Sequence, residues 1–114
     1  MSEFNDFVAE VLEPFGPVRI RRMFGGFGVF RDNLMFGLIA ADTLYFKADR
    51  TSAKHFIEQG SVPFEYAKQG RLMQLSYFSA PEEIFDDEAA ARHWAEMAYD
   101  AALRARAPGA LDLS

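Results

Sequence analysis

The residue types best suited to chemistry are two histidines, a glycine run, a block of carboxylates and a set of arginines. His93 and Glu96 stand three apart, which on a helix places them on one face as two metal ligands. No third ligand accompanies them in sequence, and His93 beside Trp94 reads as the boundary of a buried stripe. His55 follows Lys54 and reads as the wet side of a short helix. Gly25-Gly26-Phe27-Gly28 offers glycine backbone that a phosphate loop would use. It leads into a strand pattern rather than a helix amino terminus, and no Gly-Lys-Ser/Thr follows it. It reads as a bulge or a close backbone approach. Glu82, Glu83, Asp86, Asp87 and Glu88 lack the ligand spacing of a calcium loop and read as helix-capping acids. Ser76 and Tyr77 have no base beside them in sequence. These patterns name no catalytic, metal or cofactor residue, and the chain reads as a non-enzyme without a cofactor.

Arg19, Arg21, Arg22 and Arg31 form the sharpest basic cluster, interleaved with Phe24, Phe27 and Phe30. Such a mixture could stack and neutralise single-stranded nucleic acid. It could equally pair with acidic helices or keep an edge strand soluble. The net charge of −5 opposes bulk attraction to nucleic acid. Its distribution is uneven: residues 1–16 carry only acids, residues 17–74 carry nine bases against five acids, and residues 82–100 carry seven acids and one Arg. The preferred reading is charge complementarity within the fold. A nucleic-acid-associated factor using Arg19, Arg21, Arg22 and the phenylalanines is one alternative function. A small-ligand or metal binder using His93 and Glu96 is another.

Positioning falls to elements legible from periodicity. Phe4, Phe7, Val8, Val11, Leu12 and Phe15 recur at helical spacing, with Ser2 or Asn5 as cap and Pro14, Gly16 and Pro17 as stops. Val18 and Ile20 alternate with Arg19 and Arg21 as a strand, and Arg22 breaks the alternation, which predicts a bulge or strand end. GFGVF, LMFGLIA and LYFKA follow as strands, with turns at Asp32-Asn33 and Asp42-Thr43. A short helix begins at Asp49. Strands at Phe64–Tyr66 and Leu72–Phe78 flank a turn at Lys68-Gln69-Gly70. Ser79-Ala80-Pro81-Glu82 matches a capping box before a last helix striped by Trp94, Met97, Ala98, Ala101 and Ala105 and ended by Pro108-Gly109. The order α-β-β-β-β-α-β-β-α predicts an α+β fold: two layers, a mostly antiparallel sheet of about six strands, and helices on one face. One domain over 1–109 is expected, with 110–114 as a frayed tail.

Strict alternation leaves the central strands apolar on both sides. Leu34, Phe36 and Leu38 oppose Met35 and Ile39, and Phe27 and Val29 oppose Phe30. A sheet wet on one side alternates more cleanly than this. The second face, carrying Phe30, Met35 and Ile39 with Arg19 and Arg21 beside it, is therefore the expected contact surface for a partner protein or a second copy. The chain has no cysteine, no basic leader with an apolar core, and no apolar run near the roughly 20 residues of a membrane span. It is expected to be cytoplasmic, without membrane contact.

Arg22-Met23-Phe24-Gly25-Gly26-Phe27-Gly28-Val29-Phe30, followed by Met35-Phe36-Gly37-Leu38 and Leu44-Tyr45-Phe46-Lys47, resembles the amino-terminal domain of the TfoX/Sxy family of competence regulators. Pro63-Phe64-Glu65-Tyr66, Met73–Phe78, Pro81-Glu82-Glu83 and the helix with Trp94 extend the likeness over nearly the whole chain. The resemblance implies a two-layer α+β domain with an antiparallel sheet and no enzymatic activity. It also implies a link to transcriptional regulation of DNA-uptake genes in concert with the cyclic-AMP receptor protein. The family's regulators carry a second, carboxy-terminal domain, which this sequence does not contain. The resemblance supplies no functional residues to carry over.

Overall fold

The computed structural model describes residues 2–23 and 25–106. Helix α1 (Glu3–Val11) starts at Ser2, whose hydroxyl accepts a 3.1 Å hydrogen bond from the Asn5 backbone N–H. Strands β1 (Arg19–Met23), β2 (Gly26–Arg31), β3 (Leu34–Ala40) and β4 (Thr43–Lys47) follow as an antiparallel meander. Helix α2 (Ala53–Glu58) leads to strands β5 (Pro63–Lys68) and β6 (Arg71–Ser79). The sheet order is β1-β2-β3-β4-β6-β5, so β6 inserts beside β4 and β5 becomes an edge. Pro63, which has no N–H to give, is tolerated on that edge. A 3-10 turn, Glu82–Phe85, precedes the 19-residue helix α3 (Glu88–Arg106). The α+β class, the element order and the placement of the helices on one face agree with the sequence expectation.

Three hairpins close through two-residue turns with positive φ at both positions: Asp32-Asn33 (50° and 64°), Ala41-Asp42 (49° and 55°) and Gln69-Gly70 (54° and 77°). Such turns match the right-handed twist of the strands they join. The second lies one residue earlier than expected, because Thr43 already belongs to β4.

The core lies between the sheet and the helices. Val8 from α1 and Leu12 at its end, Phe56 from α2 and Trp94, Ala95 and Ala98 from α3 meet Val29, Phe36, Leu44 and Phe46 from the sheet. Phe36 is fully buried among rings, 5.1 Å from Phe15, 5.8 Å from Tyr99 and 6.4 Å from Phe46.

One irregularity decides which side chains reach this core. Val29 pairs with Gly37, but the next residue, Phe30, pairs with Met35, leaving Phe36 as an extra residue in β3. This bulge exchanges the faces of the residues beyond it. Ile39 therefore joins Phe36 on the helix side, 2% exposed within the core, and Leu38 turns to the other side. The expectation that Ile39 lies on the second face is thus corrected. No bulge falls at Arg22, where β1 stays in register with β2 through Met23.

The beginning of the last helix also differs from expectation. Ser79 ends β6, and its hydroxyl accepts from the Val62 backbone N–H at 3.0 Å instead of capping a helix. The cap is Asp87, whose carboxylate accepts from the N–H groups of Ala89 and Ala90. The intervening Glu82–Phe85 segment packs Ile84 into the core, which diverts the chain before α3 begins. The expected stop at Pro108-Gly109 and the tail 110–114 lie outside the described residues.

Candidate interaction surface

The side of the sheet away from the helices is built by period-2 geometry on either side of the bulge. The register turns Arg19, Arg21 and Met23 of β1 to this side, with Gly28 and Phe30 of β2, Met35 and Leu38 of β3, and Tyr45 and Lys47 of β4. A Cβ at Gly28 would lie 2.5 Å from Met23 Sδ, 2.7 Å from Phe30 Cε1 and 3.2 Å from Met35 Sδ. The missing side chain thus makes a hollow into which two thioethers and a ring fold. Leu38 is buried beside them, 8% exposed, although no helix among the described residues covers it. Farther along the face, Phe64 meets Tyr45 edge-on at 5.0 Å and stacks with Tyr66 at 6.1 Å.

The cations are arranged around this apolar centre. Arg19 donates to the Asn33 side-chain oxygen at 2.9 Å, and the Arg21 guanidinium lies 5.3 Å from the centre of the Phe30 ring. Lys47 donates to Ser76 Oγ at 2.6 Å and stands 5.4 Å from the Tyr77 ring. Burial lowers the Lys47 ammonium from its ordinary pKa, against the raising influence of Asp49. Burial also pushes the Tyr77 phenol up to about 12.

Four of the five expected contact residues, Arg19, Arg21, Phe30 and Met35, therefore share one face. Ile39 does not, and Leu38 occupies the place intended for it. Sequence reasoning also missed Tyr45 and Lys47. Their alternation with Leu44 and Phe46 in Leu44-Tyr45-Phe46-Lys47 already carried that signal.

The arginine cluster is divided by the sheet. Arg22 lies on the helix side, 5.6 Å from the Phe27 ring. Arg31 also faces the helices, donates to the Phe15 carbonyl at 3.2 Å and stacks 4.5 Å from its ring. Phe24 lies outside the described residues. The expected pairing of the strand arginines with the acidic helices is absent among the described residues. Ion pairs there join Arg104 to Asp49 and Arg92 to Glu96, and His55 Nδ1 lies 3.8 Å from Glu58 Oε1. Glu96 is thus engaged by Arg92 at 3.2 Å, while His93 stands edge-on to Trp94. Glu83 accepts from the Trp94 indole N–H at 2.6 Å. Among the described residues no group of three or more His, Cys, Asp or Glu side chains is placed to hold a metal ion. No helix among them is long and apolar enough to cross a membrane.

Known proteins are similar to part of this sequence. It is 26% identical to Protein Sxy of Escherichia coli K12 over 95 residues, covering 83% of this chain and 46% of that protein. It is 28% identical to DNA transformation protein TfoX1 of Aliivibrio fischeri over 82 residues, covering 72% of this chain and 39% of that protein. The chain therefore spans less than half the length of these relatives. The family model for the TfoX N-terminal domain matches residues 10–102, from the end of α1 to the last turns of α3. That match takes in every strand of the sheet, and the chain belongs to the TfoX N-terminal domain family.

Proposed function

We propose that this domain is a cytoplasmic regulatory module that acts by protein contact through the open sheet face, in the control of DNA uptake. The observation that carries the reading is the apolar centre of that face. Met23, Phe30 and Met35 lie together on a side that no helix among the described residues covers, with Met23 41% exposed. A surface of this kind gains free energy when a partner covers it, at about 25 cal/mol per Å² of apolar area. The partner is another protein or a second copy of the chain. The DNA-uptake role rests on the kinship with a protein named for DNA transformation. The side chains most suited to catalysis are occupied in structural tasks: Asp87 caps a helix, Glu83 holds the tryptophan and Glu96 pairs with an arginine.

A photoreactive benzoylphenylalanine tests the surface. Placed at Met35 and irradiated in cells, it should give a protein adduct. The same group at Ile57, an exposed position on α2, should give none. Adducts at Ile57 but not at Met35 would remove the open face from the function. Light scattering across concentration and salt then separates a second copy from another protein.

A further inference from the structure

The charges on the open face narrow the choice of partner. From β1 to β4, the strand positions on that side include three cations, Arg19, Arg21 and Lys47, and no carboxylate. Their contacts are with neutral groups: Asn33, the Phe30 ring, Ser76 and the Tyr77 ring. Asp49 acts on Lys47 through space, but its carboxylate is held by Arg104 at 2.6 Å. A two-fold dimer through this face would lay it on its own copy, cations against cations with no acid between. A head-to-tail contact with acidic α1 of another copy leaves an unsatisfied surface at each end. The exposed aromatic of α1, Phe7, is moreover already stacked on Phe85 at 5.6 Å. Nucleic acid would neutralise the cations as well, but the Phe30 ring between them is flanked by the thioethers of Met23 and Met35 rather than by further rings for successive bases. The rest of the centre is Met23 and Met35, whose thioethers suit aliphatic or aromatic side chains.

We propose that the open face receives an acidic, apolar-centred segment of a different protein. Its carboxylates meet Arg19, Arg21 and Lys47, and its apolar side chains seat on Met23, Phe30 and Met35. This rests on the reading of the face as a protein-contact surface and adds the chemistry of the partner.

The test is selection of a random 16-residue peptide display library on three proteins: wild type, Phe30→Asp, and the double reversal Arg19→Glu/Arg21→Glu. Both arginines are exposed, so their reversal spares the core. Wild type should enrich peptides with Asp or Glu around aromatic or aliphatic residues. Those peptides should bind the double reversal at least tenfold more weakly, with the ratio growing as salt falls. The reversed protein should enrich Lys and Arg instead. Uncharged apolar peptides lost only on Phe30→Asp would overturn the acidic partner and leave the protein-contact reading standing. Enrichment indifferent to all three proteins would overturn both. Labelled oligothymidylate binding that the double reversal abolishes would assign the cations to phosphate and overturn the proposal. So would a mass in light scattering that grows with protein concentration.

Discussion

Asp49 sits where the start of α2 and the end of α3 meet. Its carboxylate accepts from the N–H groups of Thr51 and Ser52 and from both of their hydroxyls, and it takes a two-pronged contact from Arg104 at 2.6 and 3.1 Å. The Arg104 hydrogen bond, with help from the capping donors, holds the carboxyl well below its ordinary value of 3.8. The unfolded chain therefore binds that proton first as pH falls. The stabilisation is fully present above the ordinary carboxylate range and is lost as the solution is acidified below it. Asp49→Ala should lower stability by about 1–2 kcal/mol at pH 7, the usual range for a lost cap. The difference from wild type in urea denaturation should shrink toward pH 3. Tyr77 has the opposite linkage. Its raised pKa preserves stability below pH 10, and that contribution is lost as pH rises toward about 12. An absorbance titration should contain a component near 12 that Tyr77→Phe removes.

At the level of the strand, two glycines predict different outcomes. A Cβ on Gly28 meets the mobile ends of Met23, Phe30 and Met35, whereas one on Gly26 collides with the Ile39 carbonyl oxygen. Side-chain ends can move and a paired backbone cannot. Gly28→Ala should therefore cost about 1 kcal/mol, and Gly26→Ala about 3 kcal/mol or more. Paired urea melts that reverse this order would refute the account. The same strands show how far sequence could reach. Helices, hairpins and the order of elements along the chain followed from periodicity and turn residues, because α1, the meander and α3 each bury one regular stripe. The bulge at Phe36 did not follow. Leu34-Met35-Phe36-Gly37-Leu38-Ile39 is apolar throughout, so no polar residue marks where the alternation changes phase. Gly37 allows the irregularity a tight fit, since a Cβ there would lie 3.1 Å from Val29 Cβ. The 3-10 turn was hidden for another reason. Ser79 and Glu82 match a cap by type, but the Ser79 hydroxyl is bound to β5's approach at Val62.

Over the whole molecule, acids gather on the helices and the β1–β4 part of the open face keeps three cations. Sequence showed this segregation as charge blocks along the chain, but not its meaning, because pairing across the fold was the simpler expectation. The face itself was legible through Phe30, Met35, Arg19 and Arg21, since period-2 spacing needs only the correct phase on each side of the bulge. Stability should also be uneven. In β6, residues 71–76 are all exposed, with Leu72 at 67%, whereas β3 is buried through its centre. Amide hydrogen exchange should be fastest in the outer half of the β5–β6 hairpin and slowest at Phe36–Ile39. Equal protection in both would mean that the hairpin opens only with the whole domain.

The insertion of β6 beside β4 has a kinetic consequence. Every other pairing in the sheet joins strands adjacent in the chain, most through two-residue turns. Such ribbons close locally within microseconds. The junction of Lys47 with Tyr77 and Phe46 with Phe78 instead requires a loop containing α2 and β5 to close first. The sheet thus consists of two ribbons of local pairing joined by one non-local seam, and closure of the β4–β6 seam is the step expected to set the rate at which the native sheet appears.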